Sequence, residues 1–516
     1  MLDSTETAAS KVSTAVRAVA GVAIVATFFV LYKSWNQPIL DQHAFRQTQT
    51  AISAYWISKN WYFFNYQTPV LGYPWMIPFE LPVYQWIVAI IATLLPINLD
   101  QAGRVVSLGF FLLSYIPLKG IVGRINSHKD LPIFIFAILM LSPIYLFWSR
   151  AFLMESTALF FSLSFVYSVA KYLQRQSLVG FALMTICAIL AACIKITTYV
   201  SFSFAGAMFV IHDMWVYRRN IFKRSEILKY IAIALSVILS VAVLEVWVQY
   251  SDALKDKLQF GYLLTSKNLF YWNFGNLHQR LSSKLWSVVF GRAMEQTLGS
   301  PLIFWTVAGM SLMGSRKTLI LQALCFALYI SNFLIFTNLH IIHDYYQYSN
   351  AIFLVVGVSL GVWESFHKFS ASIFATLFAC FILVELIGFK LYFYHDMINQ
   401  SNAPQTLALA NYLRKNTASN EVVVGFGLQW ASDVPYYAER RAFLVPDWHV
   451  PKALSVMSGV DPAFAGLLKV GAVVNCPNQL IEMDDMKVKY SDYMHFVEQT
   501  LYPHTVAGCV VYTWDK

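Results

Sequence analysis

The chain alternates long apolar runs with short polar interruptions. Runs able to cross a bilayer, about 17 to 25 residues with some short or tilted exceptions, fall at approximately 16–32, 104–119, 131–148, 152–170, 178–194, 196–212, 230–249, 297–314, 318–337, 350–364 and 371–394, eleven in all. The pattern predicts an α-helical polytopic membrane protein. One further run, VYQWIVAIIATLL at 83–95, is bracketed by Pro82 and Pro96 and is too short to cross comfortably. It is expected as a juxtamembrane or half-inserted helix. Between 250 and 296, Phe270, Phe274, Leu277, Leu281 and Leu285 recur at helical spacing, with Arg280 and Lys284 off the stripe and Trp272 and Trp286 beside it. That spacing predicts a helix lying in the membrane interface. From about 395 the chain turns polar, with short β-like runs EVVVGFG and GAVVNC after a helical stretch PQTLALANYLRKN. A small C-terminal α/β domain, 395–516, is therefore expected to follow a transmembrane domain, 1–394.

Composition agrees: 58% of the 516 residues are hydrophobic and only 13% charged, against about 25% charged in soluble domains. The net charge of +9 follows topology and carries no nucleic-acid signal. The loops 119–129, 171–177, 213–229, 315–317 and 365–369 hold 13 Lys or Arg, whereas the much longer loop 33–103 holds only Lys33, Arg46 and Lys59. Basic loops stay cytoplasmic. The N-terminus is thus expected inside, and 33–103, 250–296, 338–349 and the tail outside. If 83–95 spanned, YRRNIFKRSEILK would be exported against that bias. Lys11 and Arg17 precede about 15 largely apolar residues, but YKSWNQP follows rather than a small-residue cleavage site, so this is expected as a retained anchor. Cys187, Cys193, Cys325 and Cys380 fall in apolar runs as packing residues; Cys476 and Cys509 could pair only in an oxidising compartment.

The rare ionisable groups in or beside the spans gather at the outer connections. Asp41, His43 and Arg46 follow the first span, ahead of Gln47, Thr48, Gln49 and Thr50; Glu80 precedes the half-helix; Arg150 and Glu155 flank WSRAFLMES; Lys195 sits in CIKITT; HIIHDYYQ supplies His340, His343, Asp344, Tyr345 and Tyr346. Charges at apolar depth are costly and are usually functional or paired. Blander readings stand beside this one. Arg46 and Lys59 could face solvent, Arg150 and Glu155 could form a structural pair, Lys195 could snorkel, and the tyrosines could be belt aromatics. DWHVP at 447–451 and MDD at 483–485 read as ordinary surface.

One chemistry uses such a set. A sugar on a polyprenyl phosphate has a leaving group that is already a stable anion, so cations and hydrogen-bond donors are needed there. The attacking hydroxyl needs one base, and a single carboxylate suffices for an inverting displacement. Arg46, Arg150 and Lys195 can supply the cations and Asp41 the base, while Glu80 and Glu155 organise sugar and acceptor. Two rivals stay open: a polymerase or ligase of lipid-linked oligosaccharides, and a transporter or flippase, although the latter would place charges near the midplane on repeated, broken helices.

These residues resemble the GT-C superfamily of membrane glycosyltransferases, in the branch with protein O-mannosyltransferases and the lipid A aminoarabinose transferase. The matching points are DQHAFRQTQTA with Asp41, PFELPVY with Glu80, SPIYLFWSRAFLMES, CIKITT and HDYYQ. The resemblance implies about eleven transmembrane helices, juxtamembrane helices in a large first outer loop, and an exported soluble tail. It implies a polyprenyl-phosphate sugar donor, a glycan, lipid or protein acceptor, and Asp41 as the catalytic acid, at the outer face of a bacterial inner membrane. His43, His343, Asp344, Tyr345 and Tyr346 join the charged groups as expected substrate contacts. The aminoarabinose branch carries a lysine after the loop acid where Leu81 stands here, so phosphate contact is expected from Lys195 or Arg150. Asp41-Gln42-His43 is not the DxD of metal-using relatives; no cofactor is expected to be required, and a divalent metal through Glu80 and His343 stays possible.

Overall fold

A computed structural model describes residues 2–219, 221–365, 371–446, 464–477 and 484–514. The stretch 447–451, Met483, and 366–369 of the last basic loop lie outside them. The chain divides into two compact units, one of Met1–Gln37, Arg104–Val246 and Phe270–Ile398, the other of Pro38–Gly103, Trp247–Leu269 and Asn399–Lys516.

The first unit contains, among its described residues, helices and their connections but no strand. Among the described residues, six helices are long and apolar enough to cross a membrane: Ser13–Ser34, Leu99–Ile125, Leu178–Val216, Arg224–Lys255, Arg316–Ile335 and Ala375–Asn416. Two other expected spans, 152–170 and 350–364, form the single helices Glu155–Gln174 and Gln347–Ser365, and others are shorter or interrupted. The run 131–148 divides into Leu131–Leu141 and Pro143–Trp148, because proline offers no N–H and pushes the residue before it out of helical geometry. Ser142 turns the break to use by donating to the Thr297 carbonyl at 2.7 Å.

Leu178–Val216 contains one residue with non-helical angles, Lys195 (φ −161°, ψ 93°). Both of its halves run along Glu155–Gln174. The first starts at that helix's end, where Gly180 approaches Tyr172. In the second, Lys195 meets Glu155, and Gly206, eleven residues on, approaches Phe165 and Val169. The chain therefore reverses at Lys195, the connection expected from CIKITT. Glycine at 206 permits the contact, since a Cβ there would sit 3.3 Å from the Phe165 ring.

The interfacial helix expected between 250 and 296 is instead three short ones, Phe270–Phe274, Leu277–Leu281 and Ser283–Arg292. Gly275 adopts φ +62°, and Asn276 and Ser282 cap the next two helices through their side chains. Phe270, Leu277 and Leu281 remain exposed, while Leu285 is buried.

The second unit holds a five-stranded sheet of order β2-β1-β3-β5-β4, with β1 Val422–Phe426, β2 Arg441–Leu444, β3 Val470–Asn475, β4 Tyr502–Val506 and β5 Cys509–Thr513. β1 pairs in parallel with β2 and β3, and β5 pairs antiparallel with β3 and β4. β1 is buried at all five positions, as the apolar run VVVGF requires of a strand covered on both faces. The β2 edge is covered by the first loop: Ala442 and Leu444 donate to the Pro69 and Val70 carbonyls, both at 2.9 Å, and Gly72 donates to the Ala442 carbonyl. Covering an edge removes a template for unwanted pairing. More of the first loop joins the tail through Asp100, which accepts from Tyr436 Oη at 2.6 Å and Tyr437 Oη at 2.9 Å. The helix at 83–95 forms over Val83–Leu94 with Pro82 as its N-cap, short as expected.

Cys476 and Cys509 are joined by a disulfide between the end of β3 and the start of β5. Differential alkylation of membranes prepared without reductant is expected to leave both unlabelled until they are reduced. Labelling of either beforehand would contradict the pairing.

Candidate active site

In the second unit, the candidates lie at the start of helix Ala44–Asn60. His43 takes left-handed angles (φ 53°, ψ 40°), uncommon for a non-glycine residue, and its carbonyl accepts from the Arg46 and Gln47 amides. The turn folds Asp41 back over the first helical residues. Asp41 is 7% exposed, and its Oδ1 accepts from Gln47 Nε2 at 2.5 Å, which also donates to the Gln42 carbonyl at 2.9 Å. Gln47, Thr48, Gln49, Thr50 and Ser53 are all buried, so an uncommonly polar helix face is inside. Arg46 donates to Glu80 Oε2 at 2.9 Å and to Gln49 Oε1, with Phe79 beneath its guanidinium. Glu80 also accepts from Gln85 Nε2 at 2.9 Å. Tyr66 Oη fixes this acid's backbone, donating to the Glu80 carbonyl and accepting from the Phe79 amide, both at 3.1 Å.

In the first unit, Glu155 opens helix Glu155–Gln174, where the dipole favours an acid. Its Oε1 accepts from Lys195 Nζ, and the two side chains are 1% and 10% exposed. Glu155 therefore pairs with Lys195, not with Arg150. The ammonium also lies 4.2 Å from the Tyr346 ring centre and 5.1 Å from that of Tyr345, a cation–π arrangement. Those rings stack at 4.7 Å, with His343 5.3 Å from Tyr345. Arg150 is buried with its guanidinium over Phe147 at 4.3 Å. Its loop is clamped by Ser107 Oγ, which bonds the Ala151 carbonyl at 2.6 Å and the Leu153 carbonyl at 3.2 Å. Asp344 lies within 3.5 Å of Gln296 Nε2.

The chain aligns with ArnT from Cupriavidus metallidurans bound to undecaprenyl phosphate over 97% of its own length and 98% of that chain, with a TM-score of 0.61 at 11% identity. The fold is the GT-C fold. The apo form of the same ArnT aligns over 97% and 98%, with a TM-score of 0.58 at 12% identity. No protein-family model matches the sequence, and no curated protein does.

On this GT-C frame, sequence reasoning missed several residues that hold the candidates. Gln47 stood in plain view beside Asp41, but nothing local shows that its amide turns back to the acid. Arg292 was missed altogether: its guanidinium bonds the carbonyls of His340 at 2.5 Å and of Ile341 and His343 at 3.2 Å, anchoring the HIIHDYYQ connection from behind. Its sequence signal was a lone cation in FGRAMEQ, just ahead of an apolar run. Burial, then the Arg292 and Lys195 charges, push the neighbouring His340 imidazole down to about 3, so it is neutral at pH 7. Among the described residues, no three His, Cys, Asp or Glu side chains gather as a metal site.

Proposed function

We propose that this chain is a membrane glycosyltransferase that moves a sugar from a polyprenyl-phosphate donor to a glycan, lipid or protein acceptor. The observation that carries this reading is Asp41: a buried carboxylate held in one orientation by Gln47 at a helix start, on a GT-C fold. Asp41 takes the proton of the acceptor hydroxyl as its oxygen bonds to the sugar's anomeric carbon. The bond from that carbon to the phosphate oxygen breaks, the configuration inverts, and the lipid phosphate leaves as an anion. Glu80 and Glu155 organise sugar and acceptor, and Arg46, Arg150 and Lys195 stabilise the phosphate.

Two of these cations rest on carboxylates, Arg46 on Glu80 and Lys195 on Glu155. Donor binding then exchanges a carboxylate partner for a phosphate, so neither cation is ever buried without a counter-charge. His43, His343, Asp344, Tyr345 and Tyr346 contact the substrates. The bound ligand in the ArnT structure supports a lipid-phosphate donor. The Cys476–Cys509 disulfide supports placing the tail on the oxidising, outer side of a bacterial inner membrane, with the N-terminus inside.

The test supplies purified protein with sugar donors on polyprenyl monophosphate and on polyprenyl diphosphate, together with envelope glycans and lipids, and reads products by mass spectrometry. A new glycoside from the monophosphate donor is expected. Transfer from the diphosphate donor alone would point to a polymerase or ligase, and movement of unmodified donor across vesicles would point to a flippase.

A further inference from the structure

Within the second unit, a cleft of about 480 Å³ is lined by Gln67, Tyr73, Trp75, Arg441 and residues 465–468, none used above. Its volume suits a small ligand, and its walls are firmly built. The segment that covers the β2 edge delivers Tyr73 and Trp75. Tyr73 N donates to the Phe464 carbonyl at 2.7 Å, and Gly466 (φ +63°) sits so close that a Cβ there would lie 2.8 Å from the Tyr73 ring. Tyr73 nevertheless stays 52% exposed, with the Trp75 ring packed edge-on to its own at 6.3 Å.

Arg441 opens β2 and supplies the cleft's charge. Its guanidinium carbon sits over Trp56, 4.0 Å from the ring centre, and the guanidinium donates to Gln67 Oε1 from Nε at 3.3 Å and from Nη2 at 3.1 Å. Those partners are neutral. The acid closest in sequence, Glu439, is taken by Tyr55 Oη at 2.9 Å and Arg414 at 2.8 Å, and among the described residues no carboxylate pairs with Arg441. Burial lowers the pKa of its guanidinium, an effect that the Tyr55 phenol only partly opposes. A half-buried cation without a counter-charge is costly, and a ligand anion would relieve it.

We propose that this cleft seats an acidic sugar of the acceptor, its ring on the exposed face of Tyr73, its carboxylate on Arg441 and its hydroxyls on the Gln67 amide nitrogen. Three features favour a saccharide over a bare anion: an exposed aromatic face, a planar amide and a guanidinium, side by side. The inference rests on the transferase reading for the sugar's role as acceptor, but not for its binding. Binding is measured with no donor present, so the two can fail separately.

The test is calorimetric titration of the detergent-solubilised full chain with a uronic-acid oligosaccharide, the matching neutral oligosaccharide, and inorganic phosphate. The uronate is expected to bind saturably and about 10- to 100-fold more tightly than the neutral sugar, the range of a charge-assisted hydrogen bond. Arg441→Gln should bring uronate down to the neutral sugar's affinity, Arg441→Lys should recover part of the loss, and Tyr73→Ala should weaken both sugars alike. Melting curves check that each variant is folded. Equal uronate binding by wild type and Arg441→Gln, or no saccharide binding by the folded wild type, would overturn the proposal. So would inorganic phosphate displacing the uronate at equal concentration.

Discussion

Asp41→Asn is expected to lower sugar transfer by about 10²–10⁴-fold, the usual contribution of a positioned base, with little change in melting temperature. The substitution keeps the shape of the side chain and an oxygen that accepts from Gln47 Nε2, now 2.5 Å from Asp41 Oδ1. Only basicity is removed. Burial sharpens the effect, because at 7% exposure bulk water cannot readily take over the proton. Initial rates and thermal melts on one preparation decide the matter: a folded variant turning over within about tenfold of wild type would remove Asp41 from this role. Gln47→Leu supplies a control, since it leaves the carboxylate but deletes the bond that orients it, and it should give an intermediate loss.

Much of the fold was legible along the chain because apolar length and charge placement are local signals. The short helix between Pro82 and Pro96 and the reversal at Lys195 were readable in this way, as was the α/β character of the tail. The interfacial stripe at 270–285 misled for an equally local reason. Helical spacing of apolar residues says nothing about continuity, whereas Gly275 and the capping residues Asn276 and Ser282 interrupt it. Partnerships were the least legible. Glu80 meets Arg46 across 34 residues and Lys195 meets Glu155 across 40, and no periodicity links such positions. The nearer candidate for Glu155, Arg150, was the wrong one, because the loop between them is clamped by Ser107 and turns the guanidinium onto Phe147.

The Glu155–Lys195 pair also yields the experiment that separates holding a fold from doing chemistry. With side chains 1% and 10% exposed, the pair is buried, and breaking such a pair from one side typically costs about 3–5 kcal/mol because the remaining charge is stranded. Lys195→Met is therefore expected to lower both melting temperature and transfer, a result that alone would be ambiguous. Glu155→Gln combined with Lys195→Met leaves no stranded charge, and neutral replacement of a whole buried pair is often harmless to stability. The double variant should thus regain the melting temperature of wild type. Its transfer rate should stay down by about 10²–10³-fold, since Lys195, one of the three cations assigned to the departing phosphate, is still missing, as is the Glu155 carboxylate assigned to sugar and acceptor. Recovery of transfer together with stability would show that the pair is only a strut, and would leave Arg150 and Arg46 as the cations available for the donor.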